Sequence, residues 1–338
     1  HSETAFLNEK VMQYIDAQKD EPWFVHLSWL RPHPPFLVSE PYHSLYRSAE
    51  FETPTRHPSM AQEQAQHPYV KFMIDSKLAQ NPSYGESLLP TINEQDLQQL
   101  KGTYYAMMSE VDAQMGRLLD FLTERGLLES TLIVFSSDHG EQLGDHYLLG
   151  KSGFFDQSYH IPLIIRAPGP KWDQSRGVQV SNFSENIDLM PTILDLLGAV
   201  PPAQCDGYSL RPFLASEDSF AWRTCVHWEY DFRDVLEGKP EQYFGLSLDE
   251  CSLAVIRDCD YKYVHFNQLP GLLFDLKKDP EELNNLAGHA DYTEVMLGYA
   301  QKMLNWHMRN NDRSLTGWLF HTDGPSQRLN EDRNHRPR

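Results

Sequence analysis

The apolar run Ile133-Val134-Phe135 leads within three residues into Asp138-His139-Gly140-Glu141, which sets a carboxylate beside an imidazole at the exit of a short strand. Open α/β sheets place their ligands just beyond the carboxyl ends of strands, so both side chains would project into such a site. A carboxylate supplies charge to a divalent cation and a neutral imidazole supplies a borderline nitrogen, which makes Asp138 and His139 candidate metal ligands. The plainer reading is a turn, because Asp, His and Gly all tolerate strand exits. Two further residues could do chemistry. Lys151 follows in the same polar loop, and His33 sits in the proline-stiffened segment Leu30 to Phe36 after a second apolar run. Taken alone, Lys151 reads as a solvated surface lysine and His33 as a rigid turn residue.

The elements that must position these residues follow from periodicity. Phe6, Val11, Tyr14 and Ile15 share a face of an opening helix that stops before Asp20-Glu21-Pro22, and Trp23 to Trp29 reads as a strand. Residues 39–92 are polar and punctuated by proline, an excursion over the surface with short helices. Tyr104, Met108, Val111, Met115, Leu118, Leu119 and Leu122 recur at three- and four-residue steps. They predict a long amphipathic helix from Asn93 to about Arg125 with Gly126 as its stop. The methionines of this stretch read as core packing. With a strand into Asp138 and another over His160 to Ile165, the order strand, helix, strand predicts a parallel sheet with crossover helices. A helix follows over Ile187 to Leu197. After about Pro201 the short apolar runs Val226–Trp228, Leu253–Ile256, Tyr261–Val264 and Leu272–Phe274 predict an antiparallel sheet, with a last helix near Tyr292 to His307. Residues 311–338 read as a polar tail.

The bulk numbers narrow the partners. A chain of 338 residues buries a substantial core, and 29 Lys plus Arg against 48 Asp plus Glu leave a net charge of −19. That balance disfavours nucleic acid and anionic membrane surfaces, and no apolar run reaches the ~18 residues of a membrane span. A small anionic substrate stays compatible, because a bound cation sets the potential in a pocket more than distant acids do. Homo-oligomerisation stays open. Cys205, Cys225, Cys251 and Cys259 are too few for a disulfide scaffold and form no CxxC pair, which favours a reduced, cytoplasmic setting. Two features point the other way: Cys251 and Cys259 could face each other across a hairpin, and Asn182-Phe183-Ser184 is a formal glycosylation sequon. The chain starts at His1 inside a helix, so a targeting segment upstream, with a periplasmic or secreted destination, stays open too.

The whole run from Ser136 to Gly169, including Leu143-Gly144-Asp145-His146 and Gly150-Lys151, closely resembles the signature of sulfatases in the alkaline phosphatase superfamily, above all the phosphonate monoester hydrolase and arylsulfatase branch. Asn186-Ile187-Asp188 to Thr192 resembles that family's helix, Asp206 to Leu210 its following turn, and Leu273 to Leu286 its C-terminal strand and loop. The resemblance implies an alkaline-phosphatase-like α/β fold, mainly a parallel sheet flanked by helices, with a small C-terminal antiparallel sheet subdomain. Residues 1–200 would be part of the catalytic domain and 201–310 the smaller subdomain.

By the same resemblance Asp138 and His139 match a pair of metal ligands, for one Mn or Ca ion. Lys151 matches the lysine on the transferred group and His33 the histidine near the leaving-group oxygen. The chemistry agrees, since a cation, an ammonium and an imidazolium stabilise charge that spreads over nonbridging oxygens in the transition state. Glu141, Asp145 and His146 either orient Lys151 or a ligand, or cap the loop, and stay outside the catalytic set.

The departure from the family lies in what is missing. The paired-acid strand end and the nucleophile, often a formylglycine made from Cys or Ser in a CxPxR-like context, have no counterpart here, and none of the four cysteines has proline and arginine at those offsets. The expectation is therefore that both lie upstream of His1. The implied function is a metal-dependent hydrolase of sulfate or phosphonate/phosphate esters lacking its nucleophile segment; a two-metal phosphatase or phosphomutase, or a noncatalytic fragment, are the alternatives.

Overall fold

The computed structural model describes residues 2–18, 21–79, 93–151, 153–202, 205–217, 219–310, 318–322 and 324–327. In chain order its helices are α1 (Glu3–Gln18), α2 (Met60–Ala65), α3 (Pro68–Ala79), α4 (Glu94–Glu124), α5 (Asp156–Tyr159), α6 (Leu189–Leu196), α7 (Arg211–Leu214), α8 (Lys239–Phe244) and α9 (Thr293–Asn310). Its strands are β1 (Ile133–Ser136), β2 (Leu163–Arg166), β3 (Val226–Asp231), β4 (Ser252–Arg257), β5 (Tyr261–Phe266), β6 (Leu272–Asp275), β7 (Trp318–His321) and β8 (Gly324–Gln327). The chain divides into two compact units. One comprises His1–Gln64, Val70–Leu132 and Glu141–Lys151, the other Ala65–Tyr69, Ile133–Gly140 and Ser152–Arg338.

The first unit is built on α4. Asn93 caps it through a reciprocal pair with Asp96, and Gly126, at φ 67°, follows its end. The expected face is rotated: Met107, Glu110, Val111 and Gln114 are buried, whereas Met108 is exposed. The reason is polar, because the Asn8 amide of α1 donates to the Gln114 carbonyl at 2.9 Å and draws that side of α4 inward. In α1 the buried positions are Thr4, Asn8 and Ile15, and Phe6 and Tyr14 face out. Residues 23–29 alternate between half-buried and exposed as a strand would, yet no ladder partner joins them among the described residues, and the expected strand is not formed there.

In the second unit β3 to β6 form a four-stranded antiparallel meander, with each strand within a few residues of its expected bounds. Ile256, Tyr263 and Leu273 line up across three strands and pack on Tyr299 and Met303 of α9. Phe274 on the other face meets Phe154, and Trp228 stacks on Tyr159 at 4.8 Å. Cover on both faces explains why β6 reads as an unbroken buried run.

The expected parallel sheet is corrected at β1 and β2. The pair β1 and β2 is antiparallel, Ile133 opposite Arg166, because their connection carries loops and the four-residue α5 but no crossover helix. Within the polar tail β7 and β8 form a hairpin. No disulfide joins Cys251 and Cys259: Cys251 is buried at the start of β4 and Cys259 is exposed in the turn beyond its end. Among the described residues no helix is long and apolar enough to cross a membrane.

Candidate functional site

In the second unit, β1 ends at Ser136 and the backbone turns through Ser137, Asp138, His139 and Gly140. Asn186, just ahead of α6, fixes this turn. Its Nδ2 donates to the Ser137 carbonyl at 3.0 Å, while Ser136 Oγ lies 3.3 Å from its Oδ1 and donates to the Pro162 carbonyl at 3.0 Å. Ser137 Oγ donates to the His139 carbonyl at 2.8 Å, and the His139 amide donates to Asp138 Oδ1 at 3.0 Å. Gly140 closes the turn with an N–H to the Ser158 carbonyl at 2.8 Å; a Cβ there would lie 2.0 Å from the Gln157 carbonyl oxygen, so only glycine fits.

The turn brings Asp138 and His139 together with the imidazole held by one of its nitrogens. His139 Nδ1 is 2.8 Å from the Gly140 carbonyl, which can only accept, so Nδ1 carries the hydrogen and neutral His139 presents a lone pair at Nε2. That Nε2 lies 3.5 Å from Asp138 Oδ2. Two acceptor atoms facing each other, with the Asp138 side chain 85% exposed, suit a shared cation, and the Gly140 carbonyl is the outer partner that orients the imidazole. Among the described residues no group of three His, Cys, Asp or Glu could hold a metal ion.

His33 and Lys151 belong to the first unit. His33 is exposed in a self-bonded turn: its amide donates to the Leu30 carbonyl, its Nδ1 donates to the Pro34 carbonyl at 2.7 Å, and Arg31 donates to the Pro35 carbonyl at 2.6 Å. Nε2 is the ring nitrogen that takes no part in this turn. Lys151 is exposed at the end of a loop that begins at Glu141. Within this loop Glu141 accepts the amide hydrogens of Leu143 and Gly150, and the Gln142 amide donates to the Gly150 carbonyl at 3.0 Å. His146 and Glu63 are both fully buried, with Nδ1 and Oε1 2.9 Å apart. Burial pushes the Glu63 carboxyl up, but the His146 ring and the His57 amide outweigh it and hold it below the ordinary carboxylate range. Burial, helped by the Glu141 charge, lifts the Tyr104 phenol to about 12.

Sequence reasoning missed the roles of Ser136, Ser137 and Asn186. All three stand in motifs it singled out, but a contact from residue 186 back to residue 137 has no local signature. Other singled-out residues prove to be structural. Asp188 is buried, takes both arms of Arg223 and accepts the Tyr208 amide at 2.7 Å. Asp279 accepts the amides of Leu283 and Asn284, and Asn285 accepts those of Leu273 and Ala287.

The family model described as Sulfatase matches residues 2–199, and the one described as N-sulphoglucosamine sulphohydrolase, C-terminal, matches residues 144–309. The chain is 44% identical over 328 residues to the multifunctional alkaline phosphatase superfamily protein PehA of Trinickia caryophylli, covering 97% of this chain and 63% of that protein. The crystal structure of a phosphonate monoester hydrolase of Agrobacterium radiobacter superposes with a TM-score of 0.91 at 43% identity, covering 97% of this chain and 65% of that one. A phosphonate monoester hydrolase from Silicibacter pomeroyi gives 0.88 at 36% identity, covering 97% and 64%. These structures carry the α/β, alkaline-phosphatase-like architecture, and the chain spans just under two thirds of the length of these relatives.

Proposed function

The chain belongs to the sulfatase family of the alkaline phosphatase superfamily, and from that membership we propose that it forms the metal- and substrate-binding part of a hydrolase acting on small sulfate or phosphonate/phosphate esters. The observation that carries this reading is the turn after β1, where Asp138 Oδ2 and His139 Nε2 face each other at 3.5 Å with the imidazole oriented by the Gly140 carbonyl. A divalent ion bound there, Mn or Ca, would supply positive charge to the ester oxygens.

The roles of the chain's own residues follow. Asp138 and His139 hold the cation. Lys151 contributes a point charge to the nonbridging oxygens, where negative charge develops in the transition state more than in the ground state. His33, with Nδ1 engaged by the Pro34 carbonyl, offers Nε2 to protonate the departing oxygen. The nucleophile is a formylglycine hydrate or a plain hydroxyl outside these motifs, because no cysteine here stands in the required proline and arginine context.

Metal content and kinetics of the native-length protein test this. Asp138→Ala and His139→Ala are expected to lose bound Mn or Ca by elemental analysis. Lys151→Ala should keep the metal and raise the barrier by about 2.7–4 kcal/mol, the cost of removing one oxyanion donor. Full metal occupancy in Asp138→Ala would remove the basis of the reading.

A further inference from the structure

The loop that ends at Lys151 is held in a conformation its own residues disfavour. Leu143, His146 and Tyr147 have φ of 47°, 52° and 58°, and Gly144 and Gly150 lie at 96° and 80°. Left-handed backbone at non-glycine residues persists only where the surroundings over-determine it. Here the surroundings are segment 55–57 and Glu63 of α2. The Thr55 amide donates to Asp145 Oδ1 at 3.0 Å, and the His146 amide donates to the Thr55 carbonyl at 2.8 Å. Tyr147 Oη donates to the His57 carbonyl at 2.9 Å, and the Arg56 guanidinium lies 4.4 Å from the Tyr147 ring centroid. Glu63 joins the two sides, accepting the His57 amide at 2.8 Å on one oxygen and meeting His146 Nδ1 at 2.9 Å with the other.

A carboxylate and an imidazole with no solvent exposure are a poor way to gain stability, since apolar side chains of similar volume would serve as well. What such a pair does supply is a single arrangement. At the far end of the loop Glu141 holds the Gly150 amide, so the backbone entering Lys151 is fixed from both sides.

We propose that the buried His146–Glu63 pair is a positioning element for Lys151, with Glu141 as the second clasp, locking the loop in the left-handed geometry from which Lys151 departs. This rests on the role given to Lys151 above and adds the residues through which that role is set. His146 and Glu63, with no solvent exposure, can act only through the loop.

A double-mutant cycle in the native-length enzyme separates positioning from simple support. His146→Gln is expected to lower kcat by about tenfold to a hundredfold with KM within about twofold, the size of effect that a small misplacement of a reacting group produces. In a Lys151→Ala background the same substitution should change kcat by less than about twofold, because the residue it acts through is gone. Glu141→Gln, at a partly exposed site, should show the same dependence on background and serves if His146→Gln lowers the melting temperature too far to assay. Equal fold-losses with and without Lys151 would overturn the inference and leave the role of Lys151 intact. A kinetically silent Lys151→Ala would overturn both, and so tells the two failures apart.

Discussion

Two charged clusters in the second unit show opposite ways of handling an ion. The Lys262 side chain has no solvent exposure, and its ammonium donates to the Phe154 carbonyl at 3.0 Å, to Asp156 Oδ1 at 2.6 Å and to Glu282. Arg257 adds a bond to Asp156 Oδ2 at 3.0 Å. Burial pushes the Asp156 carboxyl up, but Lys262 and Arg257 hold it below the ordinary range. All three ammonium hydrogens have acceptors, so nothing there is available to a ligand. The turn after β1 is the reverse, for Asp138 is 85% exposed and its Oδ2 faces another acceptor, His139 Nε2, across 3.5 Å. An exposed carboxylate beside an imidazole suits the binding role proposed for the turn; a buried, fully surrounded ammonium suits a structural joint.

Lys262→Ala is the strongest challenge to that contrast. It strands Glu282 without its cation, leaves Asp156 to Arg257 alone and should destabilise the fold by about 3–5 kcal/mol in denaturant unfolding. Asp138→Ala should stay within about 0.5 kcal/mol, as for an exposed substitution away from the core. Similar losses from the two would erase the distinction.

A buried histidine sharpens it next. His67 Nε2 donates to the Pro270 carbonyl at 2.6 Å, Nδ1 accepts the Tyr69 amide at 3.1 Å, and the ring stacks on Phe266 at 4.6 Å. Both nitrogens are used by the neutral ring, and burial, opposed by the Pro270 bond, depresses its pKa to about 4. The unfolded chain, near 6.5, binds the proton more readily, so the contribution to stability is fully present above about pH 6.5 and is lost as pH falls towards 4. The size is at most about 3 kcal/mol, from about 1.4 kcal/mol per pH unit. His67→Gln, which does not titrate, should flatten that stretch of the stability profile; an unchanged slope would mean that another group carries it.

A small effect on stability is expected at Asn186. Asn186→Ala releases the Ser137 carbonyl at an exposed position and should cost about 1 kcal/mol or less of folding free energy. Metal affinity measured by titration should nonetheless fall about tenfold or more, as it does when partners behind the ligands are removed. Unaltered affinity would leave Asn186 as a simple loop contact.

Local pattern made much of this legible. The start of α4 at Asn93, the stop at Gly126, the four strands of the meander and the helix α9 are all signals written within a few residues of where they act. Residue identity at the turn was equally plain, because Asp138, His139 and Gly140 stand together. Their support was not, since Asn186 reaches back 49 residues and the His146–Glu63 pair spans 83.

The sequence by itself named the residues proposed to bind an ion or an anionic ester and the approximate bounds of α4, α9 and the meander strands, because both depend on chemistry and periodicity carried by neighbouring residues. Only the tertiary structure decided that β1 and β2 run antiparallel, that α4 turns Met107 inward and Met108 outward, and that Lys262 is consumed in a buried network whereas Lys151 stays exposed. Strand direction depends on the path of the connection, and the state of a lysine depends on acceptors far along the chain. Neither is encoded in a window of ten residues.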